Sequence, residues 1–352
     1  MTLDHGAAPD GGAPDPSSVL VVLPALDEEA HIEACLRSLM DPADWMAGTT
    51  VVVADGGSKD RTREIVRRLR HEFPNLSLVP NPGRLQSAGM NAAVAAVATE
   101  RHEILVRCDV HALYPPGYVR DVATTLHETG VASVVTVMDA VGRGAVQRAA
   151  AWVVDTPLGS GGAAHRGGRR SGLVDHGHHA GFDLAWFRRL GGYDPSFSHN
   201  EDNEYDLRLA EAGGRIWLAA GIRLRYLMRP TLPALGRQYW NYGRGRARTI
   251  AKHRSRPRLR QLVPVANLAL LGLSLAVGLA WWPPALIWVA LYLGLLVATS
   301  LLGALRLRSA DGLLAGPVLA AIHLGWASGF ARQIVAEARR RPPGRPARAG
   351  AR

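Results

Sequence analysis

From Val19 onward the chain alternates short, β-branched apolar runs with stretches of helical periodicity, and few architectures can absorb that pattern. "VLVVLPA" (19–25) is followed by an apolar stripe through Ile32, Leu36 and Leu39. "TTVVVADGG" (49–57) precedes Thr62, Ile65, Val66 and Leu69, "LSLVPN" (76–81) precedes an Ala-rich helix from Gln86 to Ala98, and "EILVRCD" (103–109) closes the series. Strands that are apolar without a break are covered on both faces. The repeat therefore predicts an α/β domain on a mostly parallel central sheet with helices on both sides.

In such sheets ligands gather beyond the carboxyl ends of the strands. Each end here carries polar residues: Glu28 and Glu29 after the first strand, Asp55 after the second, Arg84 after the third, Asp109 and His111 after the fourth. Four polar strand ends in one sheet make a site. Asp109 and His111, two apart on an extended backbone, are expected to share a face and hold one divalent cation between them. A strand that reaches solvent and turns is the plainer alternative.

After "VASVVTV" (131–137) the pattern changes. The stretch 159–172, "GSGGAAHRGGRRSG", reads as a mobile loop whose arginines and histidine close over an anion, or as a plain linker. A helix is expected from Leu184 to Leu190, then a Gly-Gly turn. A second helix is led in by Asn200, Glu201 and Asp202 and ended by Gly213-Gly214. From Leu232 to Lys252 aromatic and basic residues interleave, as in an amphipathic helix at a bilayer surface.

Apolar segments then run from Leu262 to Trp282 and from Ala285 to Leu305, each long enough for a hydrocarbon core of about 30 Å. A third, from Leu313 to Ala331, contains Pro317 and His323. Two spans return Arg306 and Arg308 to the side of the sheet domain, as the positive-inside rule asks. A third would export the arginine-rich tail, so two to three transmembrane helices are expected, with the orientation of the last left open. The net charge of +11 is concentrated in Arg237–Arg260 and Arg332–Arg352, which flank the apolar segments. That placement suits an anionic membrane face rather than a nucleic-acid groove, so no nucleic-acid partner is expected. The chain reads as a multi-pass protein of the cytoplasmic membrane with its sheet domain in the cytoplasm.

Cys35 and Cys108 lack any metal-ligand or disulfide spacing and read as core residues in a reducing compartment. The first residues carry acids and helix breakers where a signal peptide has a basic start and an apolar core. The expected organisation is a disordered lead over 1–17, the α/β domain over 18–231, a basic interfacial segment over 232–260, transmembrane helices over 261–335 and a basic tail over 336–352.

"VVLPALDEEAHIEACLRSL", "VVVADGGSKDRTREIV", "NPGRLQSAGMNAAV", the D-x-H, "GGYDPSF", "HNEDNEYDLRL" and "RQYWNYGRGRART" occur in that order. Together they resemble the family 2 glycosyltransferases with a GT-A fold, in a membrane-anchored branch of succinoglycan-type exopolysaccharide biosynthesis. Each motif alone is weak, and seven in order are specific. The resemblance covers roughly Val19 to Arg254 and implies a nucleoside diphosphate sugar donor, a UDP-sugar first among them.

By that resemblance Asp55 accepts a hydrogen bond from the base, Pro24, Ala25 and Glu28 form the other pocket wall, and Arg84 lies near base and ribose. Gly89 and Asn91 open the next helix, where a large side chain would obstruct the nucleotide. Asp55 as a helix cap and Arg84 as a solvated loop residue are competing accounts. Asp109 and His111 occupy the D-x-D position, with histidine replacing the usual second carboxylate. They imply a Mn²⁺ or Mg²⁺ bridge to the diphosphate, imidazole favouring Mn²⁺. His176, His178, His179 and His199 are candidates for a further ligand or a phosphate or acceptor contact, or are exposed loop histidines.

Asp202 matches the general base that takes the acceptor's proton in an inverting transfer, and Glu201 orients it; an acidic first turn serving the helix dipole explains the same letters. Gln238, Trp240, Tyr242, Arg244 and Arg246 resemble a Q-x-x-R-W element without its Arg-Trp ending. They line the acceptor side and bind diphosphate, or anchor the helix at headgroups. The implied reaction moves a hexose onto a lipid-linked saccharide. Alternatives are a polyprenyl-phosphate sugar transferase, a glycoside hydrolase with paired carboxylates, and a non-catalytic membrane scaffold.

Overall fold

The computed structural model describes residues 12–162, 168 and 170–340, and they fall into two units that divide between Met228 and Arg229. The first unit opens with β1 (Val19–Ala25), α1 (Ile32–Leu39), the single turn α2 (Ala43–Met46), β2 (Thr50–Asp55) and α3 (Thr62–Leu69). Next come β3 (Leu76–Pro80), α4 (Gln86–Val97), β4 (Ile104–Arg107), the two-residue β5 (Ala112–Leu113) and α5 (Tyr118–Thr129). The unit continues through β6 (Ser133–Val141), α6 (Ala145–Val154), α7 (Pro157–Ser160), β7 (Gly172–Val174) and β8 (His179–Asp183). It ends with α8 (Leu184–Arg189), α9 (Glu201–Glu211) and β9 (Ile216–Leu227).

One sheet runs in the order β3-β2-β1-β4-β8-β6-β9-β5, with β7 added on β9. The first four strands are parallel, as their unbroken apolar runs required; Val19 to Leu23 are fully buried. Beyond β4 the sheet becomes mixed, because β8 is antiparallel to both β4 and β6 while β5 and β7 are antiparallel to β9. Strand order 3-2-1-4 reverses between β1 and β4, and the crevice at that switch point is where an open α/β sheet accepts a ligand. Behind it, Phe182, Phe187, Tyr193 and Tyr205 form a buried aromatic cluster with ring centroids 5.3 to 6.0 Å apart. Cys35 and Cys108 are both buried, as expected of core residues.

The second unit contains α10 (Leu232–His253), α11 (Leu259–Ala280), α12 (Ile287–Leu307) and α13 (Ala315–Arg340). Three of its segments, Leu259–Ala280, Pro283–Leu307 and Ala310–Arg339, are long and apolar enough to cross a membrane. The third differs from the others: 44% of its apolar window is buried, against 11% for each of the first two. Its partner is α10. A Cβ on Gly325 would lie 2.6 Å from the Gly236 carbonyl oxygen, one on Gly329 would lie 2.0 Å from that of Trp240, and one on Gly243 would lie 2.1 Å from that of Trp326. The helices run in the same direction at backbone contact, and only glycine fits there. The helix expected over 232–252 is therefore present with one side buried against α13.

Candidate active site

In-register pairing sets Ala25 beside Asp55 and Asp55 beside Pro80, so the first three strands end level. The Asp55 carboxylate accepts the Gly57 N–H at 3.0 Å and the Ser58 N–H at 3.3 Å, with Arg63 Nε 3.6 Å away. It does not cap α3. Asp60, just ahead of the helix, instead takes the Thr62 N–H at 3.0 Å and hydroxyl at 2.6 Å. The β1–α1 loop is sewn to the same turn: Lys59 N–H donates to Asp27 Oδ1 at 2.7 Å and Glu28 N–H to Thr62 Oγ1 at 2.8 Å. Arg84 is exposed at φ 58°, and its guanidinium lies 3.9 Å from where a Cβ on Gly57 would stand. Pro24, Ala25, Glu28, Asp55 and Arg84 thus surround one turn at the carboxyl edge.

Gly89 and Asn91 have packing partners. A Cβ on Gly89 would meet Asn81 Nδ2 at 2.8 Å and Pro24 Cβ at 3.1 Å, so glycine lets α4 close onto the end of β1. Asn91 donates from Nδ2 to the Tyr193 carbonyl at 2.7 Å and accepts the Tyr193 N–H at 3.0 Å, fastening α4 to the Gly191-Gly192 turn.

Strand β4 stops at Arg107, and the chain turns at once: the Ala112 N–H reaches the Asp109 carbonyl at 3.2 Å. Asp109 and His111 therefore lie on a turn, which corrects the expectation of an extended pair sharing a face. The His111 ring packs edge-on against Tyr226 with centroids 5.5 Å apart, although its charge still acts on Asp109. The Asp109 backbone is clamped by Tyr114, whose hydroxyl takes the Asp109 N–H at 2.6 Å and donates to its carbonyl at 3.1 Å. Its buried carboxylate accepts hydrogen bonds at Oδ1 from Gln86 Nε2 and, at 3.3 Å, from Arg107 Nε; Oδ2 stands 2.9 Å from His178 Nε2. Burial pushes this carboxyl's pKa up, yet Arg107 first, then His178 and His111, hold it well below the usual carboxylate range.

Arg107 is itself only 3% exposed and reaches in three directions. Nε meets Asp109, while Nη1 meets the Tyr193 hydroxyl at 3.0 Å and Glu201 Oε1 at 3.1 Å. Glu201 opens α9 after Asn200, which sits in the left-handed region at φ 67°. Burial raises the Glu201 pKa against the pull of Arg107, and the charges of Asp202 and Asp109 push it further up. Asp202 is half-buried, accepts the Asn203 N–H at 2.7 Å, and its charge acts on both Arg107 and Tyr193. Asp109 and Glu201 therefore bond a single guanidinium, and the charge of Asp202 also acts on it.

The rest of α9's acid is structural. Glu204 pairs with Arg208 at 2.8 Å, and Arg208 donates to the carbonyls of Leu190 and Gly192, fixing the Gly-Gly turn. Asp206 stands 2.6 Å from His176 Nδ1. His199 lies 3.1 Å from Ser198 Oγ, and the His179 side chain lies outside the described residues. In the second unit Gln238 donates to the Tyr242 hydroxyl at 2.9 Å, Arg244 lies over Trp240, and Arg246 is half-buried on the same helix. Sequence reading passed over Arg107, Gln86, Tyr114 and Tyr193. The available signal was a charged residue inside the apolar run "ILVRCD": a buried guanidinium needs anions around it.

The donors suit a divalent cation. Asp109 is kept ionised, His178 touches it, His111 acts on it, and the buried Nδ1 of His178 has no hydrogen-bond partner among the described residues. No three His, Cys, Asp or Glu side chains among the described residues are grouped to hold an ion unaided, so further ligands would come from substrate phosphate oxygens and water.

This mixed sheet, with its acids at the carboxyl edge and apolar helices after it, has the GT-A form, and residues 20–191 match the family Glycosyl transferase family 2. The chain belongs to that family and is a glycosyltransferase. More particularly, it is similar to the succinoglycan biosynthesis protein ExoA of Rhizobium meliloti (strain 1021), with 41% identity over 321 residues, 91% of this chain and 96% of the relative. In fold it is similar to the mannosyltransferase PcManGT from Pyrobaculum calidifontis, solved in complex with GDP-Man and Mn²⁺, at a TM-score of 0.53 and 22% identity over 89% of each chain.

Proposed function

We propose that the protein is an inverting hexosyltransferase of exopolysaccharide or cell-surface glycan synthesis that uses a nucleoside diphosphate sugar, a UDP-sugar first, and a lipid-linked saccharide acceptor. The carrying observation is the guanidinium of Arg107 shared between Asp109 and Glu201, because it gathers the diphosphate end and the proton-accepting end of one reaction at a topological switch point. Asp55, Pro24, Ala25, Glu28 and Arg84 receive the nucleotide.

Asp202 takes the proton of the acceptor hydroxyl as its oxygen attacks the anomeric carbon. The bond to the diphosphate breaks on the opposite face, and the electron pair leaves with it. Buried Glu201, bonded to Arg107, fixes the start of α9 and so the position of Asp202. Asp109 and His178 would hold Mn²⁺ or Mg²⁺, which supplies charge neutralisation at the leaving diphosphate, with the charge of nearby His111 acting on Asp109. Likeness to a protein solved with GDP-Man and Mn²⁺ supports testing GDP-sugars and Mn²⁺ as well.

The apolar helices support a lipid-borne acceptor, and the basic flanks of those helices support a catalytic unit on the cytoplasmic face of a multi-pass protein. The test is Asp202→Asn in the full chain: transfer falls to background while donor binding, read by thermal shift with UDP- and GDP-sugars and Mn²⁺, persists. Undiminished turnover would remove Asp202 from the mechanism. Product analysis with bare polyprenyl phosphate against lipid-linked sugar separates this reading from direct charging of the carrier.

A further inference from the structure

The second unit holds a feature that transfer chemistry at the sheet edge does not use. Arg244 on α10 and Arg332 on α13 both place their guanidinium carbons over the indole of Trp240, 4.6 and 5.6 Å from the ring centroid. The two arginines are 88 positions apart in sequence, and the glycine-lined contact of α10 with α13 is what brings them together. Arg244 is steadied by Gln333, its Nε 3.4 Å from Oε1, and buried Gln333 is held in turn by Glu337 at 2.7 Å.

Neither guanidinium has a carboxylate partner among the described residues. Two like charges are thus held beside one ring, an arrangement that a bound anion stabilises. Arginine on a ring keeps its N–H edge free, the edge that takes phosphate oxygens two at a time. The setting is a helix long and apolar enough to enter a bilayer.

We propose that Arg244 and Arg332, mounted on Trp240, bind the diphosphate head of the lipid that carries the acceptor saccharide. Two fixed charges match a diphosphate better than they match the single phosphodiester of a bulk phospholipid, which mobile surface arginines serve equally well. The inference rests on the proposed lipid-linked acceptor and adds to it a binding site on α10 and α13.

The experiment uses the full chain in phosphatidylcholine nanodiscs with labelled farnesyl diphosphate as probe, and with UDP and GDP in excess to fill the donor site. Arg244→Gln and Arg332→Gln each weaken probe binding about tenfold, the worth of one charge-assisted contact. Arg332→Lys recovers part of the loss, and farnesol does not compete. Thermal melts, and binding of UDP and GDP read by their thermal shift, stay as in the parent, which separates loss of this site from failure to fold. Unchanged probe affinity in both Gln variants overturns the proposal. Equal competition when phosphatidylglycerol replaces phosphatidylcholine also overturns it and assigns the pair to bulk headgroups. Should the parent bind the probe through these arginines yet transfer sugar to no lipid-linked acceptor, the reading of the acceptor fails and the site stands.

Discussion

Arg107 and Glu201 meet in a buried ion pair, Nη1 to Oε1 at 3.1 Å, and the same guanidinium reaches Asp109 at 3.3 Å. One residue at the end of a parallel strand therefore fixes both the Asp109 carboxylate and the start of the helix that carries Asp202. Removing one member of a buried pair leaves charges in low dielectric without compensation, which costs about 3–5 kcal/mol. Arg107→Met is expected to lower the melting temperature of the first unit markedly. Arg107→Lys keeps the charge but cannot reach Asp109, Glu201 and Tyr193 at once. It should retain most of the stability while transfer falls about a hundredfold, as a misplacement of about 1 Å does. Wild-type turnover in the Lys variant would mean that the bridge does not set the geometry of the reaction.

Glu201 and Asp109 carry opposite pH signatures. Burial lifts the Glu201 pKa above 4.5, so its contribution to stability is complete below pH 4.5 and is lost as pH rises through the raised folded value. For Asp109, burial is overcome by Arg107, His178 and His111; its contribution is present above pH 3.8 and is lost as pH falls through the depressed folded value. Relative to wild type, Glu201→Gln should gain stability as pH is raised from 4.5 towards neutrality. Asp109→Asn should gain only on the acid side, below 3.8. Melting temperatures of the three proteins from pH 3 to 8 give the slopes, and parallel curves would contradict the assignment.

Much of the first unit was legible because its information is local. Four unbroken apolar runs separated by helical stripes specify parallel strands, the stripes through Ile32 and Thr62 lie on α1 and α3, and α4 and α9 begin at Gln86 and Glu201 where the sequence leads them in. What lay outside reach was long-range pairing. Nothing in "HHAGFD" says that β8 inserts between β4 and β6, nor that β9 pairs with three strands. The same limit governs the site. Asp109 stood out as a strand-terminal acid, but a two-residue spacing could not reveal that the backbone turns after Arg107 and sends His111 towards Tyr226. Arg107 was hidden by its apolar neighbours, and its partner Glu201 is 94 positions away.

Asn91 separates contact with substrate from support of the fold. Its amide satisfies both the N–H and the carbonyl of Tyr193, at 3.0 and 2.7 Å. Asn91→Ala leaves two partly buried backbone groups without partners and should cost about 1–3 kcal/mol. With the loss confined to stability, the KM for donor sugar stays within about twofold of wild type once the enzyme is assayed well below its melting temperature. A large rise in donor KM with an unchanged melt would instead restore Asn91 to the nucleotide pocket implied by the family resemblance.

Glycine at the α10–α13 contact allows the last prediction. A Cβ at Gly329 would stand 2.0 Å from the Trp240 carbonyl oxygen and one at Gly243 would stand 2.1 Å from that of Trp326, both backbone atoms that cannot step aside. By contrast, a Cβ at Gly272 or Gly294, on α11 and α12, meets nothing within 4 Å. Gly329→Ala and Gly243→Ala should each destabilise the second unit by about 1–3 kcal/mol through overpacking, whereas Gly272→Ala and Gly294→Ala should be neutral or add a few tenths through helix propensity. Thermal melts in detergent, followed by proteolysis of the α10 segment, read the difference. Equal behaviour of all four variants would show that α10 is held by the bilayer surface rather than by α13.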